Sequence, residues 1–239
     1  MSQALVEHFL RYTATTVGRD KVYRAIQYWA RFYAWYSLRK GGSKEQVERW
    51  NNLKNAIGLT RKLMRVAKPV EHLNLAVKSL SLEDDILRIC TIGRQLGYAG
   101  FLFFDMLLWI HGAKVYNFKN VKRYSDFSNR FWLAGLIFSA IGSAHKYRIT
   151  SMHLQVVERR HRAAVSLEKV DADYSVQRQT LTRDRNAASK QFVQDALDML
   201  IPAFNLELVN LDDGIVGLAG TVTSIMGIKD QWAKVSIRK

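Results

Sequence analysis

The sequence predicts an all-α protein: a membrane-associated helical bundle that combines amphipathic helices with one or more hydrophobic helices suited to membrane embedding. Three observations lead there. Apolar residues recur at steps of three and four along most of the chain. Only 2 Pro and 14 Gly occur in 239 residues, too little punctuation for a fold of many short strands. Residues 50–68, WNNLKNAIGLTRKLMRVAK, separate into two faces when wound as a helix. Trp50, Leu53, Ile57, Leu63 and Met64 lie on a broad apolar side. Lys54, Arg61, Lys62, Arg65 and Lys68 crowd a narrower, purely cationic one.

The first helical segment covers roughly residues 2–15, with Leu5, Phe9, Leu10 and Tyr12 near one another, and Thr15 to Gly18 interrupt it. A second starts at Arg19-Asp20, where Val22, Ile26, Trp29, Tyr33 and Tyr36 form a helical stripe of the kind that packs a core. Lys40-Gly41-Gly42-Ser43 breaks that pattern. The next run extends from about Lys44 towards Leu80, with a kink expected at Pro69, which lacks an amide donor. Its cationic face has two readings. It suits a helix lying on anionic phospholipid, apolar side in the acyl boundary, and it equally suits a basic helix that packs its apolar side on the rest of the protein.

Gln95 to Ala113 is apolar and at about 1.5 Å per residue would reach about 28 Å, close to a hydrocarbon core. Asp105 at its middle needs a partner or a bundle interior, because an unpaired intramembrane carboxylate is costly. Phe131 to Ala144 is too short to cross alone and is expected to pair with the preceding segment. Residues 145–191 are richer in charge, with the basic cluster Arg159-Arg160-His161-Arg162, and read as a solvated helix pair or a partly disordered arm. Val193, Leu197, Leu200 and Phe204 resume helical spacing, with Pro202 expected to bend the run. In the last segment Gly217, Ala219, Gly220, Thr223 and Gly227 are small, and Ala219, Thr223 and Gly227 repeat every four residues. Such a face permits close helix contact, between copies or within one chain. Composition thus divides the chain into residues 1–93, 94–145, 146–191 and 192–239.

A net charge of +15 favours polyanionic partners. No helix-turn-helix, zinc-finger or RNA-binding sheet motif accompanies the basic clusters, so nucleic acid is not the expected partner. The six histidines lack HExxH or paired-ligand spacing, Asp84-Asp85 and Asp212-Asp213 suit helix starts, and Gly93, Gly97 and Gly100 do not form a phosphate-binding loop. No catalytic residue, metal site or cofactor is expected. Cys90 is the single cysteine, so no intrachain disulfide can form, and a packed thiol is the expectation. The N-terminal residues lack the pattern of a secretory signal, and any membrane targeting is expected to be internal.

Four blocks in order carry a resemblance over nearly the whole chain: GRDKVYRAIQYWARF at 18–32, RKLMRVAKPVEHL at 61–73, DMLLW at 105–109 and DDGIVGLAGTVTSIMGIKDQW at 212–232. With them the chain resembles the peroxin-eleven family of peroxisomal membrane-elongation and proliferation proteins, in particular its fungal branch. The resemblance implies a non-enzymatic protein of the peroxisomal membrane whose helix over residues 50–68 inserts into one leaflet and tubulates it. It also implies self-association and, at the elongated membrane, recruitment of a dynamin-related GTPase and its fission adaptor. The alternative, also held for the family, is a pore-forming helical bundle for small metabolites.

Overall fold

A computed structural model describes residues 3–166 and 173–236; residues 167–172, within the charged arm, lie outside it. The described residues form eight α-helices: α1 (Gln3–Ala14), α2 (Thr16–Arg39), α3 (Lys44–Leu63), α4 (Lys68–Lys78), α5 (Asp85–Gly112), α6 (Val121–Ser166), α7 (Tyr174–Asn205) and α8 (Asp213–Val235). No strand occurs among them. Helices α5, α6 and α7 run unbroken through the composition boundaries at 94, 145 and 191.

Local chemistry explains the boundaries. The Thr15 hydroxyl accepts from the Gly18 amide and caps α2, so α1 and α2 are parted by a single residue. Ser43 caps α3 in the same way, accepting from Gln46 N at 3.2 Å. Gly41 turns the chain between them at φ +74°, a region where glycine carries no Cβ penalty. The break expected at Pro69 falls earlier, at Met64–Ala67, and Pro69 sits in the first turn of α4. There the missing N–H costs nothing, because first-turn amides have no intrahelical partner. Asp84 caps α5 by accepting from Leu87 N at 2.8 Å, and Asp213 opens α8.

Consecutive pairings close the helices into a ring. Helix α2 packs on α3 and α8, α8 on α7, α7 on α6, α6 on α5, and α5 on α4 and α3. Glycines set the tightest contacts. A Cβ on Gly97 of α5 would lie 2.6 Å from Gly135 N and 2.9 Å from Phe131 O on α6, so these helices touch backbone to backbone. The glycines at 93, 97 and 100 therefore form the packing face of a helical hairpin. The charged arm is a helix pair where described: Glu158 of α6 bridges Arg178 of α7 at 3.7 Å, and His161 stacks on Tyr174. The purely apolar core is small, built from Tyr28, Ile201 and Val216 with Trp132, Phe204 and Leu211 against them. Beside it the ring encloses many buried charged side chains, among them Arg24, Arg61, Asp105, Asp195 and Asp198.

Candidate functional site

Lys54, Arg61 and Lys62 of α3 and Arg65 of the turn after it line the interior of the ring. The Arg61 guanidinium donates to Asp20 Oδ1 of α2 at 2.9 Å and to Gln27 Oε1 at 2.7 Å. Lys62 and Arg65, one turn apart, both donate to Asp105 of α5, Arg65 at 2.7 Å to Oδ2. Arg65 also lies over the Phe101 ring. The Lys54 ammonium donates to Asn51 Oδ1 at 2.9 Å, and Lys68 is half-buried. Asp105 is 4% exposed. The carboxylate that stood out in an apolar run is thus doubly paired, which is the condition under which an interior charge persists.

The apolar members of the same segment divide. Trp50 packs on Tyr33 with ring centroids 4.7 Å apart, and Ile57 and Met64 are half-buried. Leu53 and Leu63 are 37% and 51% exposed. The helical wheel separates the two faces but does not orient them, which leaves a face on headgroups and a face packed within the protein as its two readings; in the folded chain Lys54, Arg61, Lys62 and Arg65 line the cavity. The reason lies in Asp20 and Asp105, about forty residues away on either side, which supply the compensating charge.

These side chains line one wall of a half-open cavity of about 1170 Å³ within the ring. Across it Arg24 of α2 and Asp198 of α7 form a buried bridge at 2.6 Å, and Arg31 reaches Asp213 at the start of α8 at 2.5 Å. Burial would raise the Asp20 carboxyl, but Arg61 and Arg65 outweigh it and hold the pKa below the usual carboxylate range. Asp195 moves the other way. It accepts from the Ser139 hydroxyl at 2.6 Å and from Gln191 Nε2 at 2.9 Å, yet burial raises its pKa. Lys21 is pulled down to about 8, first by burial and then by Arg24, with Asp20 and Asp198 opposing.

Lys21 has a measurable signature. With the folded pKa near 8 and an unfolded value near 10.5, the unfolded chain binds the extra proton between those limits, so stability rises with pH across that window. Lys21→Met is expected to remove that rise, and thermal unfolding of both proteins from pH 7 to 10.5 checks it. Parallel slopes for the two proteins would contradict the assignment.

The small residues of α8 are engaged within the chain. Gly214, Gly217, Gly220 and Gly227 lie against Trp35, Phe32, Tyr28 and Lys21 of α2 in antiparallel order. A Cβ on Gly217 would lie 2.7 Å from Phe32 N. Ala219 and Thr223 are buried beside them, Thr223 with no exposed surface. The aromatic stripe of α2 and the glycine stripe of α8, separately legible in the sequence, are the two halves of one interface. What sequence reasoning passed over is the polar partner set: Asp20, Gln27, Asp195 and Asp198. The last two are carboxylates three residues apart inside the apolar stripe of α7, a pattern that signals an interior polar face.

Among the described residues no helix is long and apolar enough to cross a membrane, including α5, which contains the Gln95–Ala113 segment. No cluster of three metal-ligating side chains occurs among them either.

The family model described as Peroxisomal biogenesis factor 11 (PEX11) matches residues 6–232. The chain belongs to this family. It is 27% identical to the Peroxisomal membrane protein PMP30A of Candida boidinii over 95% of its own length and 94% of that protein. It is likewise 27% identical to the Peroxisomal membrane protein PMP27 of Saccharomyces cerevisiae, with the same coverage. Identity is 24% to the Peroxisomal biogenesis factor 11 of Schizosaccharomyces pombe, over 94% of both chains. No solved structure matches the chain. The four blocks that carry the resemblance to the PEX11 family meet around the cavity. Residues 18–32 and 212–232 form the α2–α8 interface. Residues 61–73 reach the first block through Arg61–Asp20 and the 105–109 block through Lys62 and Arg65 to Asp105.

Proposed function

We propose that this chain elongates the peroxisomal membrane by inserting apolar helix faces into one leaflet. As a member of the PEX11 family, with relatives named as peroxisomal membrane proteins, it is a protein of the peroxisomal membrane that serves peroxisome biogenesis. It does so without catalysis. The observation that carries the mechanism is an inverted distribution: paired charges line the interior, while large apolar side chains crowd the outside. Phe9 and Leu10 of α1, Trp29 of α2, Phe103 of α5, Ile141 of α6 and Ile225 of α8 are all exposed. A water-soluble monomer rarely exposes apolar surface on this scale, and lipid is the solvent that suits it.

Helices α3 and α4 are the wedge. Leu53 and Leu63 of α3 and Val70, Leu73 and Val77 of α4 face outward, and their shallow burial expands one leaflet relative to the other, which yields positive curvature. Trp50, Ile57 and Met64 back that face. Exposed cations at the ends of the wedge, Lys44 and Lys78, hold anionic headgroups in the folded arrangement at about 1 kcal/mol each. Lys54, Arg61, Lys62, Arg65 and Lys68 join them only if α3 swings away from α5. Copies associate through the outward ridge Leu218, Val222 and Ile225 of α8, since α2 covers the glycine side. The elongated membrane is then the substrate of a dynamin-related GTPase and its adaptor.

Electron microscopy of anionic liposomes incubated with the full chain tests the wedge. Leu53→Ser with Leu63→Ser is expected to abolish tubules while circular dichroism and the unfolding midpoint stay within about 1 kcal/mol of the parent, because both side chains are exposed. Unchanged tubulation would remove the wedge from the mechanism.

A second reading, passage of small metabolites through the bundle, is favoured by the polar cavity inside the helical ring. Planar-bilayer recordings decide it: conductance no different from a protein-free bilayer would end that reading.

A further inference from the structure

Charge inside the ring does not balance. Asp20, Asp105, Asp198 and Asp213 each have a guanidinium or ammonium partner, and Asp230 is bridged by Lys190 of α7. The sixth lining carboxyl, Asp195, is 1% exposed and held by a hydroxyl and an amide rather than by a cation. Four half-buried cations of the lining, Lys21, Lys54, Lys68 and Arg94, have no carboxylate within ion-pairing distance among the described residues. Lys21 of α2 lies along Gly227 of α8, its ammonium 3.4 Å from where a Cβ would stand. Arg94 of α5 lies over the Tyr98 ring at 5.7 Å.

Lys21 interacts electrostatically with Asp198, and Arg94 with Asp195. Asp195 and Asp198 are one helical turn apart on α7, and Asp198 is already bridged by Arg24. Arg24 and Arg61 add to the positive field around Lys21. Burying an ammonium beside like charges is unfavourable unless an anion arrives to compensate it. The surrounding space, about 1170 Å³, exceeds what a simple ion needs and is edged by side-chain amides from Gln27, Gln95, Gln191 and Gln194.

We propose that this cavity binds a phosphate-bearing molecule, with Lys21 and Arg94 as the direct ligands of the phosphate and the amides contacting its polar body. A guanidinium fork and an ammonium point charge in the lining of one cavity with an excess of cations suit a multivalent oxyanion better than a monovalent one. The phosphate can belong to a soluble ester or to a lipid headgroup drawn into the ring. Lys21 and Arg94 stand on α2 and α5, away from the exposed Leu53 and Leu63 of the wedge, so Leu53→Ser with Leu63→Ser is expected to leave anion binding intact and the two readings fail separately.

The test uses the full chain in an uncharged maltoside detergent, following the unfolding midpoint and calorimetric heats. One arm titrates inorganic pyrophosphate against sodium chloride of matched ionic strength. The other dopes the micelles with phosphatidylinositol 4-phosphate against phosphatidylcholine. The expected result is saturable binding in at least one arm, weakened tenfold or more by Lys21→Met with Arg94→Gln and unchanged by Lys146→Gln on the exposed surface of α6. Saturation with pyrophosphate points to a soluble ester, and saturation with the doped micelles alone to a headgroup. The ligand-free midpoint of the double variant confirms that it folds. Binding absent from both arms beyond the salt control, or equal in parent and double variant, would overturn the site.

Discussion

Gly217→Leu is expected to destabilise the chain by at least about 3 kcal/mol, the upper part of the range for overpacking. Even the first carbon of the new side chain would lie 2.7 Å from Phe32 N and 2.8 Å from its Cα. Those atoms are backbone and cannot rotate aside, so α2 and α8 must part along the interface that also seats Tyr28 and Trp35. For a chain of this size the loss corresponds to a fall of roughly 6–12 °C in the unfolding midpoint. Thermal unfolding in detergent micelles, followed by circular dichroism, measures it. Gly58→Ala is the control: the nearest atom to its added carbon is the end of the Gln27 side chain, which can move. That change is expected to stay within about 1 kcal/mol of the parent, helix propensity offsetting the shift. Equal midpoints for Gly217→Leu and the parent would mean that α2 and α8 do not pack as described.

Asp105→Ala is expected to cost about 3–5 kcal/mol, the range for removing one partner of a buried ion pair. Lys62 and Arg65 would be left facing each other with their common anion gone, in a wall that also carries Arg61. The partial exposure of Lys62 places the loss towards the lower end of that range. Replacing all three together, Asp105→Leu with Lys62→Met and Arg65→Met, is expected to recover most of it, because a well-packed apolar set of similar volume can match a buried ion pair. A triple variant as unstable as Asp105→Ala would show that the site depends on the ions themselves rather than on their mutual neutralisation. The same reasoning covers charge reversal: Arg61→Glu sets a carboxylate against Asp20 and disrupts the fold, so it cannot report on headgroup binding.

Much of the fold was legible from the residues. The apolar stripe from Val22 to Tyr36 and the break at residues 40–43 mark α2 and the start of α3, because helical period and chain breaks are local chemistry, whereas the Thr15 cap that starts α2 three residues before Arg19 was passed over. The break between α3 and α4 was legible in kind but displaced by a few residues, since proline is compatible with a first helical turn. The glycines at 93, 97 and 100 were readable as the wrong thing to hold a nucleotide, but their use in packing α5 against α6 depends on Phe131, Gly135 and Phe138, more than thirty residues later.

The sequence by itself determined that this is an all-α chain with a small-residue stripe near its C-terminus and a helix of two distinct faces over residues 50–68. Helical period and side-chain size follow from neighbours along the chain, and no tertiary contact can alter them. Only the tertiary structure decided which way those faces point. Asp20 and Asp105 draw Arg61, Lys62 and Arg65 inward, and α2 covers the stripe of α8. A cation faces a lipid headgroup or a buried carboxylate according to where an opposite charge is brought within a few ångströms. That distance is set by chain closure over dozens of residues, which no local pattern encodes.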